Sequence, residues 1–425
     1  MVIGDWTHCL VSIWCAIVLM MMAKIGFIPL GSVTSPVGFY AGATFAGIKK
    51  KAENVLDLGA LFSEVTCVAA GVLTDNRVEA APIVLCRERL KRGRASAVVI
   101  NSGCANAFTG EQGLADATEM ADLLAKCLGI SPLDVLIAST GVIGQRLPMV
   151  QIRDGIKHIA LVEDGGHELA RAIMTTDTLP KEIAITVKIG RARFNIGGVV
   201  KGSGMIHPNL ATMLCFLTTD AVVDLDFLGL SLRRAVDSAF NMVSIDGDTS
   251  TNDMVLIMAN GLARNDMIVQ DTEMASIFQQ ALDQVCQYLA ISVARDGEGA
   301  SKLIEVTVSG ALTLVEARLA ARTVVSSSLV KAAIHGSDPN WGRIVAAVGR
   351  SGAEVIASKI DVNIGNICLV KAGEILTFNN RKLAQVLNGN EVAIEVQLHL
   401  GTATATAWGC DLSEEYVSLN SQYLT

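Results

Sequence analysis

The chain has 425 residues, 51% apolar and 18% charged, which is material for a large core and excludes a disordered chain. A net charge of −8 and only 4% aromatics argue against nucleic acid as a partner, which needs clustered cations or stacking faces. Ten scattered cysteines without a C-x-x-C pair point to reduced thiols in a cytoplasmic protein rather than a disulfide scaffold.

Residues 10–22 (LVSIWCAIVLMMM) form an apolar run shorter than the roughly 20 residues a membrane span requires. Asp5 precedes it and Lys24 follows, the reverse of a secretory signal. Residues 1–24 are therefore read first as an extension from a start upstream of the true Met20, Met21 or Met22, with a membrane anchor and a buried element as the alternatives. Membrane association is not expected.

Residues 97–100 (AVVI) read as a buried strand stopping at Asn101-Ser102-Gly103. An amphipathic helix follows over 111–128, with Gly129 placed to end it. Residues 135–138 form a strand that runs into Ser139-Thr140-Gly141. Helices are expected over 148–162 and 167–174. Ile183, Ile185, Val187 and Ile189 alternate with Ala184, Thr186 and Lys188, and Phe194 and Ile196 resume the pattern after a turn, predicting a hairpin. A glycine-rich stretch, 197–204, leads to another apolar run at 213–217. Further helices are expected over 226–242, 273–294, 315–333 and 341–349, and strands over 304–308, 359–364 and 391–399. Helices and strands interleave without a strict βαβ rhythm, which predicts α+β layers.

Several motifs fail on inspection. In the glycine-rich stretch Lys201 precedes Gly202, the wrong order for a phosphate loop, and a strand follows instead of a helix. Ser328-Leu329-Val330-Lys331 fits S-x-x-K, but its S-D-N and K-T-G partners are absent. Cys104 is better read as a small residue packed in a turn than as a nucleophile. The six histidines show no H-E-x-x-H and no i,i+4 pair, so no metal site is expected.

One stretch resists a purely structural reading: KGSGMIHPNLATML, residues 201–214. It delivers Thr212, just after the small Ala211, to the start of an apolar strand. Such a threonine can attack the preceding carbonyl, rearrange the peptide to an ester and, after hydrolysis, begin a new chain. The released α-amine has an ordinary pKa of roughly 7.7 to 8.0 and can serve as base for its own hydroxyl, so no histidine is needed.

That stretch resembles the K-G-S-G-M-I-x-P-N-M-A-T-M-L segment of the ornithine acetyltransferase (glutamate N-acetyltransferase) family. NSGCANAFTGEQG (101–113), STGVIG (139–144), MTTDTLPK (174–181), SIDGDTSTND (244–253), DGEGASK (296–302), GSDPNWGRI (336–344) and the terminal YVSLNSQYLT (416–425) are also similar to family motifs. Leu210 stands where the family commonly has Met, and the apolar extension lies outside the pattern.

The resemblance implies an α/β/β/α layered fold of the aminopeptidase-like type. It implies self-cleavage between Ala211 and Thr212 into an α chain, 25–211 after the extension, and a β chain, 212–425, assembling as two of each. The activity implied is an arginine-biosynthesis acetyltransferase, in which N2-acetylornithine gives its acetyl group to glutamate by way of an acetyl-Thr212 ester. Acetyl-CoA is a possible second donor, and no cofactor is implied. Thr140 and Gly141 match the oxyanion-hole pair, and Thr178, Lys201, Thr212, Glu298, Asn420 and Thr425 match substrate contacts. Lys201 suits an α-carboxylate and Glu298 a substrate amine. Asp246-Gly247-Asp248 and Asp338-Pro339-Asn340 are given turn-stabilising roles. The rival on the same scaffold is an amidohydrolase or aminopeptidase, in which water resolves the ester.

Overall fold

The computed structural model describes residues 24–49, 55–207 and 213–421. The apolar run 10–22 and residues Ala211, Thr212 and Thr425 lie outside the described residues.

In chain order the strands begin with β1 (Lys24–Phe27), β2 (Phe39–Thr44), β3 (Leu58–Leu73), β4 (Arg94–Cys104) and β5 (Val135–Val142). There follow β6 (Lys181–Ile189), β7 (Ala192–Lys201), β8 (Leu214–Thr219), β9 (Val243–Ser244) and β10 (Met254–Ala259). The last are β11 (Leu303–Ala311), β12 (Asp361–Ile364), β13 (Ile367–Lys371), β14 (Glu374–Ile375), β15 (Glu391–Gln397) and β16 (Ala403–Cys410). The helices are α1 (Ala81–Leu90), α2 (Gly110–Leu128), α3 (Met149–Gly155), α4 (Gly166–Ala172), α5 (Leu225–Ser238) and α6 (Glu273–Arg295). After them come α7 (Leu314–Val325), α8 (Ser328–His335), α9 (Trp341–Gly349), α10 (Asn380–Leu387) and α11 (Glu414–Ser421).

Among the described residues the strands make two sheets, so the class is the α+β one expected. The larger has the order β1-β6-β7-β8-β10-β3-β4-β5, with β2 added on β3. The smaller runs β14-β13-β12-β15-β11-β16-β9. Within the larger sheet β8 lies parallel to β10 and β4 parallel to β5, while β7 is antiparallel to β8 with Lys201 opposite Leu214.

The larger sheet is apolar on both faces, and that shapes its central strands. Leu214 and Phe216 of β8, with Met254, Leu256 and Met258 of β10, join the core beneath α1, α2 and α4. Their alternates Cys215, Leu217, Val255 and Ile257 join the core with α5, α6 and the smaller sheet. A strand buried on both sides reads as a continuous apolar run with no period of two. Ile277, Phe278, Leu282, Val285 and Leu289 fill that second core from α6, where Phe278 meets Phe194 and Phe227 at centroid distances of 5.9 and 6.0 Å. Contacts of that kind add about 1 kcal/mol beyond simple burial.

Three expected helices are cut short or divided, the 226–242 one ending as α5 at Ser238 with a 3-10 turn over Phe240–Met242. The 148–162 helix stops as α3 at Gly155 with one 3-10 turn beyond, because the chain is drawn out to pair with β2: Ala41 and Val162 exchange backbone hydrogen bonds of 3.0 and 2.9 Å. The 315–333 helix divides into α7 and α8 at Ser326-Ser327, where the Ser327 hydroxyl accepts the Val330 N–H and starts a new helix. Gly129 ends α2 in the left-handed conformation, φ 68°.

Candidate active site

The parallel strands β4 and β5 end side by side, with Gly103 opposite Gly141. Gly141 has φ 128°, and a Cβ there would lie 2.3 Å from the Gly103 carbonyl carbon, so only glycine fits. The Asn252 amide donates to Ala105 O at 2.6 Å and to Ser139 O at 2.9 Å, tying the two strand ends together. Ser139 adds a 2.6 Å bond from its hydroxyl to Asn101 Oδ1. Thr140 and Gly141 are thereby held at the wall of a cavity of about 130 Å³.

Lys201, the last residue of β7, enters the same cavity although only 2% of it is exposed. Its Nζ donates to Thr175 Oγ1 at 2.6 Å and, more weakly, to Thr140 Oγ1 at 3.5 Å, with Asp177 Oδ2 at 3.8 Å. Burial pulls the Lys201 ammonium below its usual pKa, against the opposing pull of Asp177, Glu298 and Asp253. Asp177 also pairs with Lys181 at 2.6 Å and accepts the Thr175 and Gly202 N–H groups at 2.9 and 2.7 Å. Burial would raise the Asp177 carboxyl, but Lys201 and Lys181 outweigh it and hold it well below the ordinary carboxylate range.

Glu298 lines the same cavity. Its N–H donates to Ser203 O at 2.7 Å, and its Oε2 accepts the Asn420 amide at 2.8 Å. A Cβ on Gly204 would lie 2.4 Å from the Glu298 carboxyl carbon, so glycine at 204 makes room for this acid. Asn420 arrives from the far end of the chain on α11. That helix is tethered at its base by His335, whose Nδ1 lies 2.7 Å from Asp411 Oδ2 and whose Nε2 lies 3.2 Å from Glu414 Oε2.

The hydrogen bond to Asp411 raises the His335 pKa, with Asp411 and Glu414 charges adding to it and partial burial opposing. A group whose folded pKa is raised stabilises fully below its unfolded value, about 6.5, and that stabilisation is lost as pH climbs through the folded value. Docking of α11 should therefore loosen on the alkaline side. Amide hydrogen exchange over 414–421, corrected for the intrinsic pH dependence, is expected to show less protection at pH 8.5 than at pH 5.5. His335→Gln should remove the difference, and equal protection at both pH values in the parent protein would refute the tether.

Thr140, Gly141, Lys201, Glu298 and Asn420 line one cavity, although they come from widely separated stretches of sequence. Thr178 does not line it: its N–H and hydroxyl both go to Asp296, the former at 3.0 Å, and Asp296 pairs with Lys181 at 2.5 Å. Thr175 and Thr176, earlier in the same MTTDTLPK motif, line the cavity in its place. Ser250 and Asn252 also line it and are not among the candidates the sequence singles out. The available signal is the cluster of polar residues just ahead of the apolar run MVLIMA, the same pattern as around Thr212. Asp246 reaches beyond its own turn: it accepts the Met205 and Ile206 N–H groups at 2.6 and 2.9 Å, and the Asp248 N–H of its turn only at 3.3 Å. Cys104 is buried, its thiol directed to Gln145 O at 3.3 Å. Among the described residues no group of three or more His, Cys, Asp or Glu could hold a metal ion, and no helix is long and apolar enough to cross a membrane.

The ArgJ family profile matches residues 40–425. The chain belongs to the ArgJ family. It is 51% identical over 405 residues to the arginine biosynthesis bifunctional protein ArgJ of Dehalococcoides mccartyi, covering 95% of this chain and 100% of that one. The ArgJ of Symbiobacterium thermophilum is 52% identical over 397 residues, covering 93% and 99%. Among solved structures, the ArgJ of Bacillus halodurans is 45% identical and covers 48% of this chain and 97% of its own, with a TM-score of 0.47. The ornithine acetyltransferase of Mycobacterium tuberculosis, solved with ornithine, is 33% identical with coverages of 45% and 100% and a TM-score of 0.40.

Proposed function

We propose that this ArgJ-family chain is a self-cleaving acetyltransferase of arginine biosynthesis. The reading is carried by one observation: Thr140, Gly141, Lys201, Glu298 and Asn420 share a cavity, and Lys201 pairs with Leu214 at the start of β8, the strand that follows Thr212. Cleavage between Ala211 and Thr212 is compatible with the fold, because β7 and β8 remain hydrogen-bonded from Lys201–Leu214 onward after the connection is cut. The 25–211 and 212–425 chains would then share one sheet, in an assembly of two of each. The scattered cysteine usage is what places the protein in a reducing compartment such as the cytoplasm in this reading.

In the proposed reaction the Thr212 hydroxyl attacks the acetyl carbonyl of N2-acetylornithine while its α-amine takes the hydroxyl proton. The Gly141 N–H and Thr140 hydroxyl receive the oxyanion, a service worth about 3–4 kcal/mol per donor. The C–N bond then breaks, ornithine departs with the proton, and the acetyl group stays on Thr212 as an ester. The amine of glutamate attacks that ester, N-acetylglutamate leaves, and the threonine hydroxyl is restored. Lys201 would bind the α-carboxylate that both substrates carry, and Glu298 the ornithine side-chain amine. An acyl thioester such as acetyl-CoA could load the same hydroxyl.

Intact-mass spectrometry tests this directly. Two polypeptides in place of one of 44.8 kDa are expected, the second beginning at Thr212 and gaining one acetyl group when acetylornithine is added without glutamate. An uncut chain, or an acetyl group on any other residue, would refute the reading. Acetate released without any need for glutamate would indicate a hydrolase instead.

A further inference from the structure

Asp253 sits between Asn252, which lines the cavity, and Met254, where β10 begins. Its side chain is wholly buried. Oδ1 accepts the Met213 N–H at 3.0 Å, and Met213 O accepts the Met254 N–H at 3.0 Å, so the carboxyl is fixed at the head of β8. Among the described residues Oδ2 has no hydrogen bond of normal geometry, although the Ser250 N–H and hydroxyl lie close enough to the carboxyl to favour its charged form. Buried polar atoms without a partner are uncommon and costly, and a purely structural acceptor here would need only one oxygen. Burial drives the Asp253 carboxyl well above the usual range, only partly opposed by the Met213 N–H, by Lys201 and by Ser250. Among the described residues Lys201 is a cation that faces it, and Lys201 in turn faces Asp177, Lys181 and Glu298.

Met213 is joined covalently to Thr212, so this carboxyl anchors the amide that follows the proposed nucleophile. We infer that Asp253 is a positioning residue for the chain end that cleavage creates, with Oδ1 holding the Met213 amide and Oδ2 receiving the new α-amine of Thr212. The inference rests on the self-cleavage reading above. Cleavage releases the amine, the Asp253 carboxyl passes its proton to it, and a carboxylate–ammonium pair results with no change in net charge. Loss of one proton from that pair to solvent gives the neutral amine that then accepts the Thr212 hydroxyl proton. A carboxylate neighbour makes the ammonium harder to deprotonate, so Asp253 sets the pH above which the nucleophile works.

Asp253→Asn keeps an acceptor for the Met213 N–H and removes the acid. The variant is left to process fully, and kcat/KM for acetyl transfer is then followed against pH beside the parent enzyme. The expected result is an acid limb displaced to lower pH by about one unit or more, with a plateau reduced roughly tenfold by lost orientation. Asp253→Glu should keep the limb within about half a unit of the parent. A limb that does not move in Asp253→Asn, whatever the rate, would make Asp253 a structural acceptor and overturn the inference. So would a variant that never cleaves, because the assigned role begins only after the cut. A parent protein that does not cleave would instead sink the reading of Thr212.

Discussion

Thr212→Ala should leave a single chain of 44.8 kDa and no acetyl transfer. One hydroxyl is asked to do both jobs: it attacks the Ala211 carbonyl to open the chain, and later it carries the acetyl group. Without it neither bond can form, and the α-amine that would act as base is never released. Deleting a nucleophile elsewhere costs on the order of a millionfold in kcat, so transfer should fall to background. Thr212→Ser retains a hydroxyl and should keep part of both activities. A denaturing gel and an assay of ornithine release decide the matter, and normal processing of Thr212→Ala would refute the nucleophile assignment.

Gly141→Ala should be the next most damaging change, for reasons visible in the backbone. At φ 128° an alanine is strained, and its Cβ would sit 2.3 Å from the Gly103 carbonyl carbon, a backbone atom that cannot swing away. Strain of this kind costs about 1–3 kcal/mol of stability. The strand ends must part to relieve it, which moves the N–H and the Thr140 hydroxyl that are proposed to meet the oxyanion. Loss of one such donor lowers kcat by about 10²–10³. The loss should fall on kcat with KM nearly unchanged, because the oxyanion exists only along the reaction path. Steady-state kinetics on cleaved protein, with a melting curve as companion, measure both parts. A kcat within about threefold of the parent would remove Gly141 from the reacting centre.

Much of the secondary structure is legible because its side chains obey one period. The hairpin of β6 and β7 follows from Ile183, Ile185, Val187 and Ile189, and α2 with its terminal Gly129 follows from an apolar face and a left-handed stop. Residues 58–73, 254–259 and 403–410 give no such signal, although all three are strands. The first and last are rich in Ala, Gly and Thr, while the second is apolar throughout because it lies between two cores, so none shows alternation.

The site divides along the same line. Its motifs place Thr140, Gly141, Lys201, Glu298 and Asn420 among the candidates, but no spacing in a linear chain says that Asn420 will meet Glu298 at 2.8 Å. Local chemistry written in consecutive residues, such as a threonine behind a small residue at the head of an apolar run, can be read directly from the sequence, since it depends on covalent neighbours. Which of Thr175, Thr176 and Thr178 faces the cavity, why Asn252 ties two strand ends together, and why one oxygen of Asp253 lacks a hydrogen bond among the described residues were decided only by the tertiary structure. Those outcomes depend on which distant segments the sheets bring together and on what that packing takes out of water.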